Sequence, residues 1–181
     1  MTERAVFLDR DGVVNRATVV DGRPYPPASL EQLEILPGVP EAVADLRRAG
    51  FRVIVVTNQP DVATGRQSRA VVEAMHDSLR ARLALDDVYT CYHTDRHACA
   101  CRKPNPGMLL DAAREWSLRL HESFMVGDRW RDIEAGHRAG CKTILVQGDV
   151  EYREPAACDP DWTVRSLLEA SQIICPWRVG C

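Results

Sequence analysis

Apolar residues in this chain fall into short unbroken runs, separated by stretches where they recur every three or four positions. Residues 5–8 form such a run, and residues 51–56, 88–92, 123–126 and 143–146 form others. Runs of this length between polar turns predict strands covered on both faces, as in a parallel sheet. The stretches between them read as helices. Pro37-Gly38-Val39-Pro40 opens one through Arg48, with Val39, Val43 and Leu46 on one face and Gly50 as its stop. Residues 68–84 and 106–116 predict two more, and residues 132–138 a short one stopped by Gly140. A short strand at 162–164 and a helix at 166–171 are expected in the tail. Strands alternating with helices predict an α/β fold, a three-layer Rossmann-like parallel sheet flanked by helices.

One segment breaks the alternation. Residues 16–36 carry Arg23-Pro24-Tyr25-Pro26-Pro27, a proline density that forbids a helix and favours an extended excursion. It leaves directly from the end of the first strand, so it is either a plain surface loop or a wall of a substrate pocket.

Composition narrows the class. With 181 residues the chain has room for one well-packed core, and a single domain over 1–181 is expected. A hydrophobic content of 45% and a charged content of 27% are those of a globular protein in water. The net charge of −3 gives no polyelectrolyte argument for nucleic acid. No apolar run approaches a membrane span, and the first residues lack a signal-peptide pattern, so no membrane partner is expected and the cytoplasm is the expected compartment. A monomer is expected. Three of the seven cysteines crowd into residues 91–101, which favours metal over disulfides.

The chemistry concentrates at strand ends. Asp9 and Asp11 follow the first strand, and Gly12 lets the chain turn. Carboxylates spaced two apart share a side of an extended strand, and their repulsion is tolerated where a metal or a shared proton offsets it. The alternative is an ordinary polar Asp-Gly turn. Cys91-x-His93-x5-Cys99-x-Cys101 offers three thiolates and one imidazole, a closed tetrahedral set suited to structural zinc. A zinc finger for nucleic acid is excluded, because five residues leave no room for a recognition helix. The zinc-binding loop, residues 91–101, runs into Arg102-Lys103 and would hold both in place. Cys141 reads as a small core residue, and the 172–181 tail with Cys175 and Cys181 has no account.

Four stretches then occur in order: Asp9-Arg10-Asp11-Gly12, Thr57-Asn58-Gln59, Lys103-Pro104 and Gly127-Asp128-x-x-x-Asp132. Together they resemble the haloacid dehalogenase-like phosphohydrolases over roughly residues 5 to 170. With the Cys/His loop ending in Cys101-Arg102-Lys103-Pro104, the chain is most similar to that family's histidinol-phosphate and heptose-bisphosphate phosphatase branch, which carries no large cap domain. The resemblance implies that Asp9 is a nucleophile forming an aspartyl-phosphate and that Asp11 is the general acid, then the base. It implies a catalytic magnesium on Asp9, Asp128 and the backbone carbonyl of Asp11, with Asp132 as a supporting carboxylate. Thr57 and Asn58 would donate to the transferring phosphoryl group, and Lys103 would bridge phosphate and nucleophile.

The expected partner is a small phosphorylated sugar or metabolite. Arg102-Lys103-Pro104-x-Pro106-Gly107-Met108 looks like the heptose-bisphosphate enzymes, whereas the short zinc loop and Gly127-Asp128-Arg129 look more like the histidinol-phosphate ones. Gln59-Pro60-Asp61 departs from the Gln-Ser-Gly of both. The expectation is a heptose 1,7-bisphosphate cleaved at its 7-phosphate, with Arg102, and Arg66 or Arg16, meeting the second phosphate. Histidinol phosphate, or another small phosphorylated metabolite, is the alternative. Outside the enzymes, a receiver-like signalling domain is disfavoured because residues 88–92 carry no acceptor aspartate. A non-catalytic phosphate-binding module is disfavoured by the intact Asp9/Asp11 pair.

Overall fold

The computed structural model describes residues 3–20, 23–148 and 158–176. Six parallel strands form the central sheet: β1 (Ala5–Leu8), β4 (Arg52–Asn58), β5 (Asp87–Cys91), β6 (Phe124–Gly127), β7 (Lys142–Val146) and β8 (Trp162–Val164). Their spatial order is β5-β4-β1-β6-β7-β8. The chain therefore builds outward from β1 on one side and then crosses to build on the other. The crevice beyond the carboxy ends of β1, β4 and β6 is where such sheets place ligands.

Among the described residues five α-helices cover the sheet: α1 (Val39–Arg48), α2 (Arg69–Leu83), α3 (Gly107–Trp116), α4 (Trp130–Ala139) and α5 (Leu167–Ile174). Alternation along the strands divides their side chains between two cores. Val6 and Leu8 of β1, with Val53 and Val55 of β4, face the core built by α1, α2 and α5. Ala5, Phe7, Ile54 and Val56 face the other, built by α3 and α4. Burial on both faces is why these strands read as unbroken apolar runs.

Most predicted boundaries shift by one or two residues. The larger difference is at 16–36, where the structure has an antiparallel hairpin, β2 (Thr18–Val20) with β3 (Arg23–Tyr25), and a 3-10 turn at Leu30–Gln32. Pro24 is compatible because this ribbon has only two strands, so a missing N–H breaks no central ladder. The second strand also runs further than expected, so Thr57 and Asn58 belong to β4 itself. Among the described residues no helix is long and apolar enough to cross a membrane. Cys141 is buried in the α3–α4 core, as expected, and Cys181 lies outside the described residues.

Candidate active site and metal centres

Asp9 follows directly on β1, and its backbone N–H donates to Val126 of β6 at 2.9 Å, which locks it between the two strands. Lys103, 2% exposed, enters from the loop before α3. Its Nζ donates to Asp9 Oδ1 and Asp132 Oδ1, both at 2.6 Å, and to the Val56 carbonyl at 2.8 Å. Asp132 also accepts from the Arg129 backbone N–H at 3.1 Å, closing the first turn of α4. The helix start is pressed so tightly on β6 that a Cβ on Gly127 would lie 2.1 Å from that of Asp132.

Asp9, Asp128 and Asp132 bring carboxylate oxygens within 4.8 Å of one another. Three carboxylates gather in this buried cleft around the one ammonium of Lys103. Burial raises the Asp9 pKa to about 6, against the pull of Lys103, and pushes Asp128 well above the usual carboxylate range, with Asp9 adding to the effect. Asp128 Oδ1 is buried without a hydrogen-bond partner. An all-oxygen donor set, an excess of carboxylates and an orphaned buried oxygen fit a hard divalent cation. Gly12 makes the approach possible. It sits at φ +96°, and a Cβ there would come within 2.3 Å of Asp128 Oδ2.

Asp11 borders the same pocket but keeps a separate set of partners. Its carboxylate accepts from Arg10 Nε and Nη2 at 3.0–3.2 Å, from Asn15 Nδ2 at 2.9 Å and from Gln59 Nε2 at 2.8 Å. It lies outside the carboxylate group that can hold a cation, consistent with contact through its backbone only. The chain turns immediately after β1, with the N–H groups of Val14 and Asn15 both donating to the Arg10 carbonyl. This turn, rather than an extended strand, is what separates the two aspartates' surroundings.

Thr57, from β4, is buried with its hydroxyl accepting from Gln59 Nε2 at 3.0 Å, so its own proton is available. The Asn58 side chain turns to the Lys103 peptide. Its Nδ2 donates to the Lys103 carbonyl at 3.0 Å, and its Oδ1 accepts the Lys103 N–H at 3.1 Å. Asn58 also borders the pocket, and its Oδ1 and one of its two Nδ2 hydrogens hold the Lys103 peptide.

The second cluster hangs from the end of β5. Cys91 Sγ lies 3.6 Å from His93 Nδ1, 3.9 Å from Cys99 Sγ and 3.0 Å from Cys101 Sγ, and His93 Nδ1 is 3.4 Å from Cys101 Sγ. A tetrahedral zinc with ordinary bond lengths would space its donors by roughly 3.5–3.8 Å. These distances bracket that figure, so the four side chains fit one tetrahedral ion. The loop is tied to the segment leading into α3: Asn105 Nδ2 donates to the Cys99 carbonyl at 2.8 Å, and the Gly107 N–H donates to Ala100 at 2.9 Å. Arg102 reaches back to the His93 carbonyl at 3.1 Å and to Asp95 at 2.8 Å. Arg131 of α4 donates to the same Asp95 oxygen, also at 2.8 Å. The two guanidiniums hold the Asp95 pKa down to about 2.

The pocket in front of Asp9 has a volume of about 290 Å³, the scale of a small-molecule site. Arg102, Arg129 and Arg131 line it, as do Tyr25 of β3 and Pro26 just after it. The proline-rich excursion is therefore a pocket wall. Arg66 is corrected: it is exposed on the loop before α2 and borders no part of this pocket. Arg16 instead pairs with Glu34 at 2.8 Å. Sequence reasoning missed Arg129 and Arg131, whose only signal was their position around the start of a helix that follows a strand-end aspartate. It also gave no task to Arg10, which is fully buried.

A family model described as HAD-hydrolase-like matches residues 100–170. A D-glycero-β-D-manno-heptose-1,7-bisphosphate 7-phosphatase of Escherichia coli K12 is 34% identical, over 94% of this chain and 93% of that one. The chain belongs to the haloacid dehalogenase-like phosphatases. A second relative of this family, the phosphatase of the same name from Rhodopseudomonas palustris, is 38% identical over 80% of this chain and 84% of its own length. Among solved haloacid dehalogenase-like structures, the D,D-heptose 1,7-bisphosphate phosphatase of B. bronchiseptica, complexed with magnesium and phosphate, superposes with a TM-score of 0.81. It is 34% identical and aligns with 94% of this chain and 97% of its own.

Proposed function

We propose that this phosphatase removes the 7-phosphate of a D-glycero-β-D-manno-heptose 1,7-bisphosphate, with magnesium, through an aspartyl-phosphate on Asp9. Asp9, Asp128 and the Asp11 carbonyl would hold the magnesium, with Asp132 supporting them from its place on Lys103. Magnesium, when bound, neutralises the carboxylates and the phosphoryl oxygens so that one anion can approach another. An Asp9 oxygen attacks phosphorus while the bond to the sugar oxygen breaks, and that oxygen takes its proton from Asp11. Asp11 then accepts a proton from a water whose oxygen attacks phosphorus. The bond to Asp9 breaks, releasing inorganic phosphate and restoring both side chains. Lys103 and the Thr57 hydroxyl hold charge on the phosphoryl oxygens throughout. Asn58 acts one step back, by fixing the Lys103 peptide.

Cys91, His93, Cys99 and Cys101 would hold a structural zinc. All four donors come from the protein, so no position is left open for chemistry. The loop it closes carries Arg102 and leads into Lys103. The single six-stranded sheet, with a core on each face, supports reading 1–181 as one domain.

The observation that carries the substrate is the cationic side of the pocket. Arg102 and Arg131 share one carboxylate, Asp95, so this pair brings a net positive charge to the pocket lining. A second phosphate suits it, because guanidiniums bind phosphate through two prongs, whereas the amine of histidinol phosphate would be repelled. The test compares kcat/KM on both compounds for the native enzyme and for Arg102→Ala. The native enzyme should prefer the bisphosphate. The variant should raise its KM by about tenfold or more while leaving that of a monophosphate nearly unchanged. Faster hydrolysis of histidinol phosphate, or equal losses on both, would overturn the assignment.

A further inference from the structure

Helix α2 contributes nothing to the pocket lining, yet it aims one buried polar side chain at the site from behind. His76 is 0% exposed, and its Nε2 lies 3.1 Å from Arg10 Nη1. A guanidinium has only donors, so the imidazole must be the acceptor there, neutral, with its proton on Nδ1. Burial and the Arg10 charge agree, pushing the His76 pKa down to about 4. Nδ1 is buried without a hydrogen-bond partner, 3.6 Å from Glu73 Oε2, and Glu73 accepts from the Tyr92 hydroxyl. Arg10 thus spends one edge on Asp11 and the remaining nitrogen on His76. Three attachment points define the plane of the guanidinium, whereas the Asp11 edge alone would leave it free to tilt.

We propose that Glu73, His76 and Arg10 form a positioning relay that sets the direction of the Asp11 carboxyl toward the leaving oxygen. Glu73 sets its carboxylate on the protonated Nδ1 side of the His76 ring, His76 fixes the plane of Arg10, and Arg10 holds both oxygens of Asp11. The bland alternative is that the imidazole merely satisfies a buried arginine. A buried polar group kept only for packing is a poor choice, since an apolar pair of the same volume is often at least as stable. The relay rests on the reading of Asp11 as the proton carrier. None of the three residues need touch substrate, and the expected effect is on placement: a misplacement of order 1 Å costs about 100-fold in a positioned reaction.

The test uses the leaving group. A sugar alkoxide needs a proton to depart and p-nitrophenolate does not, and kcat/KM reports only steps up to that departure. His76→Asn is too short to reach Arg10, whereas His76→Gln keeps an acceptor near the position of Nε2. His76→Asn should lower kcat/KM on the sugar bisphosphate by about 10- to 100-fold and on p-nitrophenyl phosphate by less than about 3-fold. His76→Gln should stay within about 3-fold of native on both, since the acceptor is retained. Glu73→Ala, at a partly exposed position that tolerates truncation, should show the same selective loss at about 3-fold or more, and it decides the matter if His76→Asn fails to fold. Asp11→Asn is run alongside. If it loses both substrates equally, the reading of Asp11 falls. If Asp11→Asn separates the substrates while His76→Asn and Glu73→Ala do not, the relay is overturned and the reading of Asp11 stands.

Discussion

Replacing Lys103 by methionine removes one charge from the most crowded electrostatic position in the protein and keeps its length and apolar stem. In the native site the ammonium, 2% exposed, touches two carboxylates at 2.6 Å and a main-chain carbonyl at 2.8 Å. Its pKa is held well above the ordinary lysine range by Asp132 and Asp9, which outweigh its burial. Without it, Asp9 and Asp132 face each other and Asp128 with no ammonium between them, and the Val56 carbonyl loses its donor. Breaking one side of a buried ion pair costs about 3–5 kcal/mol, and the lost bond to the carbonyl falls within that range. The sign with pH comes from the acids left behind. Asp9 already has a folded pKa raised to about 6, so protonation favours the folded state, and the variant's need for it is greater. The deficit of Lys103→Met should therefore be largest at pH 8, shrink as the pH falls toward about 6 and level off below it, where the native Asp9 is protonated as well. Urea denaturation in magnesium-free buffer, followed by tryptophan fluorescence, measures it. Added magnesium should narrow the gap, because the carboxylate cluster has then lost the cation held at its centre. A variant within about 1 kcal/mol of native at pH 8 without magnesium would refute the claim that Lys103 compensates these carboxylates.

Two further outcomes are expected. Purified protein should carry about one zinc per chain, and Cys99→Ser should lose that zinc and several kcal/mol of stability; protein that is as stable and active after chelation and magnesium replacement would contradict a structural site. The depressed pKa of His76, about 4 against an ordinary 6.5, means that its contribution is fully present above pH 6.5 and is lost as the pH falls toward 4. Relative to His76→Gln, native stability should therefore drop by about 3 kcal/mol across that window, and parallel pH profiles for the two proteins would argue against a buried neutral imidazole.

Much of the site was legible because its chemistry sits at strand ends, and strand ends are where apolar runs stop. Asp9, Thr57 and Asp128 could be placed together once β1, β4 and β6 were recognised as neighbours in a parallel sheet. The zinc-loop residues were legible for a different reason: their spacing is local, so no tertiary knowledge was needed. Arg66 failed because a polar loop near a strand end can point anywhere, and nothing local distinguishes a pocket cation from a solvated one. Arg131 was missed for the complementary reason, since its partner Asp95 lies 36 positions away across the zinc loop. The hairpin was hidden by Pro24, whose missing N–H rules out a central strand but not a two-stranded ribbon. Asn58 reads as a phosphate ligand from its place beside Thr57. Only the fold brings the Lys103 peptide close enough to claim its amide. His76 carried no signal at all, because a histidine within an amphipathic helix looks like any other half-buried position until Arg10 is found behind it.

The central claim is that phosphate passes through Asp9, and it can be tested on the bond itself. Asp11→Asn retains the nucleophile but lacks the base for the second step, so its phosphorylated form should accumulate from p-nitrophenyl phosphate, whose departure needs no acid. The reaction would be run with magnesium, quenched in acid and digested, and the adduct mapped by mass spectrometry. The account predicts a phosphoryl group on the peptide containing Asp9, at the Asp9 carboxylate, and none from Asp9→Asn under the same conditions. A phosphoryl group on any other residue, or full turnover by Asp9→Asn without an adduct, would contradict it.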